Sequence, residues 1–174
     1  MRVSDPISPL TKARQGISTR QIAKAGLFAA LYAVMTVFMP VPQYGGIQFR
    51  VAEAMTVLPF LFPEAIFGLT VGCFIANLFS PFLLDCVIGT SATLLAALWT
   101  SRVKRPLWAP MPPVICNAVI VGAEIAWFAA SEGENFVRAW LFNGFTVGFG
   151  ELLACYVLGL LLLRTLRRFG TRQA

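Results

Sequence analysis

Long apolar runs fill this chain from residue 22 to residue 163, broken by short stretches rich in Pro, Gly and Ser. They predict six helices, over about 22–39, 48–62, 65–80, 84–101, 108–130 and 139–163. Pro40-Val-Pro-Gln-Tyr-Gly-Gly46 parts the first from the second and Phe62-Pro-Glu64 the second from the third. Ser80-Pro81 and Ser131-Glu-Gly-Glu134 make the later breaks. A full bilayer crossing takes about 20 residues. The second and third runs fall short of it, so they are expected as thinned crossings or as segments shielded by their neighbours. With 57% hydrophobic and 13% charged residues, the chain is too apolar for a soluble domain of 174 residues. The pattern reads as an all-α integral membrane protein with one membrane domain.

Charge settles the number of crossings. Twelve of the fourteen basic residues fall in three blocks. Arg2, Lys12, Arg14, Arg20 and Lys24 lie in or beside an N-terminal arm; Arg102, Lys104 and Arg105 form a middle loop; Arg164, Arg167, Arg168 and Arg172 close the chain. Six crossings put all three blocks on one side, as the positive-inside rule asks, whereas five would put one of them outside. Both termini are therefore expected in the cytoplasm. The division is a basic arm over 1–21, a membrane domain over 22–164 and a basic tail over 165–174. Blocks confined to loops argue against nucleic acid as the partner of the net +6 charge. The run 25–39 has too long a basic leader, and no small-x-small site after it, for a cleaved signal peptide.

Chemistry concentrates in the acids. Glu53, Asp85, Glu124 and Glu151, half of the eight acids, lie inside or at the lip of apolar runs. A carboxylate there costs roughly 2.5–3.5 kcal/mol, and acids so placed usually line a cavity, a proton path or a ligand site. Asn117 and Glu124 share a helix face at i, i+7, and Asn143 and Glu151 do so at i, i+8. Arg50 and Glu53 are i, i+3, open to reading as an interfacial ion pair or as part of a site. Asn77 and Asp85 flank an outer turn. Glu151, roughly 18 Å into its span at about 1.5 Å per residue, is the deepest, so the stripes describe an outward-opening cup with Glu151 as its floor. Gln43 and Gln48 stand on the outer segment 40–49, whose prolines and Gly45-Gly46 suit a movable lid. Glu64 reads as a helix N-cap or first-turn acid, Glu132 and Glu134 as solvated loop charges, and the four single cysteines as small hydrophobes in helix packing. Tyr44, Phe49, Trp127 and Trp140 suit base stacking and an interfacial belt equally.

Ala25, Ala29 and Ala33 repeat at i+4 in the first helix, with Gly26 and Ala30 as a parallel row. Such rows admit another helix closely, either a separate partner chain or a neighbour in the bundle. The chain has no histidine, no GxxxxGK[ST], no GxSxG and no paired-cysteine zinc pattern. It therefore has a site for recognition but no group for ATP hydrolysis, nucleophilic catalysis or imidazole-held metal, and it is not read as an enzyme. No cofactor is expected.

Ile47-Gln-Phe-Arg-Val-Ala-Glu53, Leu58-Pro-Phe-Leu-Phe-Pro-Glu-Ala65, Ala76-Asn-Leu78, Leu84-Asp85 with Gly89, and Ala92-Thr-Leu-Leu-Ala96 occur in order. Pro112-Pro-Val with Asn117, Gly122-Ala-Glu124 and Gly148-Phe-Gly-Glu151 follow. In this order and spacing, over about 25–160, the chain resembles the queuosine-precursor transporter family (QueT), substrate-binding S components of energy-coupling-factor (ECF) transporters. Ala52 departs from the pattern, where Ser is expected, and the basic arm lies outside the resemblance.

The resemblance implies an S-component-like six-helix bundle in a prokaryotic plasma membrane, taking a 7-deazaguanine base from the outer face. It implies as partners an ECF transmembrane subunit, docked on Ala25, Ala29 and Ala33, and two ATPase subunits. The substrate-binding residues are then Gln43, Gln48, Arg50, Glu53, Asn77, Asp85, Glu124, Asn143 and Glu151. A guanine-like face offers a ring N–H and an exocyclic amine, two parallel donors that one carboxylate accepts. A stand-alone proton-coupled carrier, an S component for another vitamin-like substrate, and an intramembrane enzyme using acid pairs are the competing readings.

Overall fold

The computed structural model describes residues 18–39 and 49–170; the segments 1–17, 40–48 and 171–174 lie outside the described residues. Six helices stand where the apolar runs predict them, and no strand occurs among the described residues. The first is Thr19–Phe38, the second Val51–Phe60, the third Ala65–Asn77 and the fourth Ile88–Thr100, entered through the turn Leu83–Cys86. The fifth runs Met111–Cys116, Asn117–Val121 and Gly122–Ser131 without a break. The sixth runs Phe136–Leu152, Leu153–Gly159 and Leu160–Gly170.

Four stretches are long and apolar enough to cross a membrane: Thr19–Phe38, Leu83–Thr100, Pro106–Ser131 and Phe136–Phe169. The second and third helices are shorter, and the second differs in kind from the expectation. Val51–Phe60 is a 3₁₀ helix of 10 residues. At about 2.0 Å per residue it climbs roughly 20 Å, where an α-helix of the same length climbs roughly 15 Å. The 13-residue third helix climbs about the same. So each covers about two-thirds of a 30 Å hydrocarbon layer. Ala52 to Pro59 are all buried, so the first, third, fourth and sixth helices enclose this segment and keep its backbone from lipid. A 3₁₀ run of this length, with Pro59 inside, is unfavourable alone and relies on that enclosure.

Side chains are sorted as lipid demands. Leu83 is 82% exposed and Phe145 73%, with Phe67 and Leu141 outward as well. The buried set is rich in Ala, Gly, Thr, Asn and acids, with a smaller share of Leu, Val, Met and Cys. An exposed apolar surface around a polar, small-residue interior is the reverse of a soluble domain, and it fits a bilayer.

Close backbone approach fixes the helix pairs. A Cβ built on Gly68 meets the Ala25 carbonyl oxygen at 2.6 Å, and one on Gly72 meets that of Ala29 at 2.7 Å. The alanine row expected to dock a partner is thus engaged inside the chain. Ala29 is buried, and Ala25 and Ala33 are half-buried. The row that stands outward is Gly26 and Ala30. Between the fifth and sixth helices, a Cβ on Gly122 meets the Gly144 Cα at 2.7 Å. Glycine is required at both crossings because the obstacle is backbone.

At one end of the bundle Lys24 pairs with Glu64 at 2.9 Å and lies over the Phe62 ring. Glu64 occupies the N-cap position of the third helix, as expected, although its side chain serves Lys24 rather than the helix. That hydrogen bond holds the Glu64 carboxyl below the usual carboxylate range. Arg164 and Arg167 stand at the same end beside Pro106 and Leu107. Glu132 and Glu134 are exposed in the turn at the opposite end.

Candidate functional site

The 3₁₀ helix turns Glu53 into the centre of the bundle, where it is fully buried. There the Tyr32 hydroxyl, from the middle of the first helix, donates a short hydrogen bond to Glu53 Oε1. The Glu53 carbonyl accepts from the Thr56 hydroxyl at 2.6 Å and from the Cys155 thiol at 3.3 Å. Cys155 also reaches Glu151 Oε2, at 3.5 Å. Asn117 Nδ2 donates to Glu151 Oε1 at 2.7 Å, joining the fifth helix to the sixth. The Gly122–Gly144 crossing brings those two helices close enough for that bond.

A second group lies at the junction of the third and fourth helices. Asn77 Nδ2 holds the Asp85 carbonyl at 2.8 Å, while the Ser80 hydroxyl donates a short bond to the Asp85 carboxylate. Glu124, from the fifth helix, sits in the field of Asp85 and of Arg50. Arg50 caps the 3₁₀ helix and is the one buried cation among the described residues. It interacts electrostatically with Tyr32, Glu53 and Asp85, and its charge reaches Glu124 and Glu151. Four buried carboxyls thus surround one guanidinium.

Their hydrogen bonding differs in a telling way. Glu151 has Asn117 as a full donor, and its second oxygen shares the single Cys155 S–H with the Glu53 carbonyl. Neither oxygen of Glu124 has such a donor, and Glu53 Oε2 and Asn77 Oδ1 are likewise buried without a partner. A buried acceptor left unmade costs about 1–3 kcal/mol, more when charged. Such groups in a native fold call for an outside partner or a functional reason. Glu124, Glu53 Oε2 and Asn77 Oδ1 together leave three carboxylate oxygens and one amide oxygen without a protein donor. That set suits a ligand rich in N–H groups.

Of the nine polar residues expected in the site, seven are described, and all seven are buried. Arg50, Glu53, Asn77, Asp85, Glu124 and Glu151 come together. Asn143 turns back to the Ala139 carbonyl of its own helix at 2.8 Å and lines a cavity of about 590 Å³ with Glu134 and Arg138. Gln43, Gln48, Tyr44 and the expected lid over 40–49, apart from Phe49, lie outside the described residues. Contacts across the fifth and sixth helices also join residues that the sequence pattern leaves separate. Asn117 serves Glu151 across the helix interface rather than Glu124 on its own face. Trp140 Nε1 donates to the Val119 carbonyl at 3.1 Å, tying the fifth and sixth helices together. Tyr32, Thr56 and Cys155 complete the site without having been expected there. The available signal was Tyr32, the one hydroxyl-bearing ring in the first span.

The lipid-facing exterior and the enclosed polar centre define a class: a helical membrane protein with a buried polar centre. More narrowly, the chain belongs to the QueT transporter family, whose model matches residues 22–168. It is 35% identical over 78 residues to the queuosine precursor transporter QueT of Lactococcus lactis subsp. cremoris (strain MG1363). That match covers 44% of this chain and 46% of the relative, so it spans about half the length of each. No solved structure matches the chain.

Proposed function

We propose that this protein is the substrate-binding membrane subunit of an ECF-type importer, taking a queuosine precursor of the 7-deazaguanine type from the outer face. One observation carries the reading: both oxygens of the buried Glu124 carboxylate lack a protein donor. Two adjacent, unpaired acceptors match the ring N–H and exocyclic amine of a guanine-like base, and a doubly charge-assisted contact is among the stronger hydrogen-bond pairs. Arg50 is placed to donate to the ring carbonyl, and Glu53 Oε2 is an acceptor for a further amine. The relative's name, queuosine precursor transporter, supports this substrate class.

In this reading the Lys24–Glu64 end and both termini are cytoplasmic, with six crossings of a prokaryotic plasma membrane, because the basic clusters favour that side. The acid-rich turn Ser131–Glu134 then faces outward, and substrate enters from that side. Energy comes from an ECF transmembrane subunit with two ATPase subunits, since the chain has no nucleotide-binding sequence of its own. The outward Gly26–Ala30 row, rather than Ala25 and Ala29, offers the small-residue surface for that subunit. Calorimetry on purified protein should give a one-to-one complex with a 7-deazaguanine base, without conversion of the ligand. Uptake by cells expressing the chain should require a co-expressed ECF module. Uptake without any module would favour a proton-coupled carrier, and chemical conversion of the base would remove the binding-subunit reading.

A further inference from the structure

At the basic end, the turn Pro106–Trp108 and the last helical segment, Leu160–Gly170, enclose a cavity of about 300 Å³. Its lining is divided. Leu107, Leu160 and Leu163 give it an apolar wall, and Arg164 and Arg167 stand at its rim. The spacing explains this: 160, 163, 164 and 167 follow i, i+3, i+4, i+7 and form one helix stripe that changes from leucine to arginine toward the chain end. Trp108, half-exposed beside the cavity, marks the depth at which indoles meet headgroups.

The charge around it is one-sided. Arg102, Lys104 and Arg105 precede the turn, and Arg168 adjoins Arg167. Among the described residues the acid at this end is Glu64, and Lys24 already holds it at 2.9 Å. No described carboxylate pairs with Arg164. We infer that this cavity is a binding site for an anionic phospholipid, whose phosphate lies beside Arg164 and Arg167 while an acyl chain covers Leu107 and Leu160, above the buried Leu163. Basic cavities between helix ends at the cytoplasmic surface take acidic headgroups by charge, and each nearby arginine strengthens the attraction. Guanidinium forks suit phosphate oxygens in particular. A free phosphate meets the two arginines but leaves the leucine wall in contact with the bilayer, so the lipid is the better match. The site lies at the opposite end of the bundle from Ser131–Glu134 and does not depend on the solute that the protein carries.

Native mass spectrometry of the full chain released from detergent tests this. The probes are phosphatidylglycerol and phosphatidylcholine of identical acyl chains, with inorganic phosphate as the third arm. Retention of phosphatidylglycerol over phosphatidylcholine is expected to differ on the order of tenfold. The double variant Arg164→Gln/Arg167→Gln should bring the two lipids within about twofold, while Arg164→Lys/Arg167→Lys should keep the preference. Arg102→Gln, outside the cavity, should keep it too. Should the glutamine pair fail to fold, Arg164→Gln alone must lower the ratio severalfold. Equal retention of both lipids by the unaltered chain overturns the inference. A preference that survives the glutamine variants does so as well, and displacement of the lipid by millimolar phosphate would show a plain anion site instead.

Discussion

Replacing Glu124 by glutamine tests whether this carboxylate reads a ligand or builds the fold. In the free protein neither oxygen accepts from a protein N–H or hydroxyl, and the group facing it is a second carboxyl, Asp85, close enough to share a proton with it. Glutamine has nearly the same shape. The exchange therefore replaces a proton shared with Asp85 by an amide N–H that Asp85 can accept, and the free protein should unfold at the same temperature or higher. Binding should respond in the opposite sense. Losing one partner of a charge-assisted pair in a desolvated site costs about 2–5 kcal/mol, much of it from the group left unpaired. At about 1.4 kcal/mol per factor of ten, the lower bound is roughly a 30-fold weaker complex. Ligand at 100 times the wild-type dissociation constant stabilises the native protein by about 2.7 kcal/mol; for a complex weakened 30-fold, the same concentration gives about 0.9 kcal/mol.

Calorimetry and thermal unfolding of detergent-purified protein, with and without a 7-deazaguanine base, measure both quantities. Affinity within threefold of wild type would show that the donor pair is read elsewhere. A lower melting temperature without ligand would make Glu124 a structural acid. Glu151→Gln is the internal contrast: its Oε1 already accepts from Asn117 at 2.7 Å, so this change should lower the stability of the free protein.

The other expectations follow from named contacts. Asn117→Ala removes the 2.7 Å donation to Glu151 and should cost about 1.5–3 kcal/mol of stability, read as a lower thermal midpoint without ligand. Gly122→Ala puts a methyl 2.7 Å from the Gly144 Cα, so the fifth and sixth helices must part, and both stability and binding should drop; a variant as stable as wild type would contradict that crossing. Ala29→Leu forces bulk onto the Gly72 backbone and should destabilise the free protein by at least about 1–3 kcal/mol, whereas Ala30→Leu should leave its melting unchanged and reduce uptake alone. The Lys24–Glu64 pair lowers the Glu64 pKa, so its contribution is present above the ordinary value near 4.5 and fades as pH falls through the lowered one. Glu64→Gln should therefore flatten the acid side of the stability profile and change little at pH 7, because Lys24 is partly exposed.

The positions of the six helices were legible because apolar runs and Pro- or Gly-bearing breaks are local signals. The geometry of 51–60 was not. Its residues are compatible with several helical rises, and only enclosure by four neighbours makes a ten-residue 3₁₀ helix tenable. The acids were legible as costly residues in apolar runs, yet their partners were not. Periodicity along one helix shows which residues share a face and says nothing about the helix opposite. Asn117 was therefore assigned to Glu124's stripe, although it bonds Glu151. The internal contacts of the alanine row were hidden for a related reason. Ala25 and Ala29 have a complement at the same spacing in Gly68 and Gly72, and that second row marks them as an internal crossing. Reading the two rows together would have left Gly26 and Ala30 as the outward pair.

The irregular backbone of this chain also has a location. The 3₁₀ helix carries Glu53, the π segment Asn117–Val121 begins at the asparagine that holds Glu151, and the π segment Leu153–Gly159 carries Cys155. These three departures from α geometry come from three different helices and meet in one hydrogen-bonded group. In hydrocarbon, a backbone that leaves the i to i−4 ladder is tolerated only where protein or a cavity covers it. The coverage is present here, since Glu53, Asn117, Glu151 and Cys155 are all buried. A regular helix advances about 100° per residue and keeps side chains on fixed stripes; a π turn or a 3₁₀ run changes that advance and turns a side chain toward a partner the regular stripe would miss. The polar centre therefore depends on irregular segments at the places where regular helices would point Glu53, Asn117 and Cys155 elsewhere. The surrounding alanine and glycine contacts provide the close enclosure that makes those segments stable.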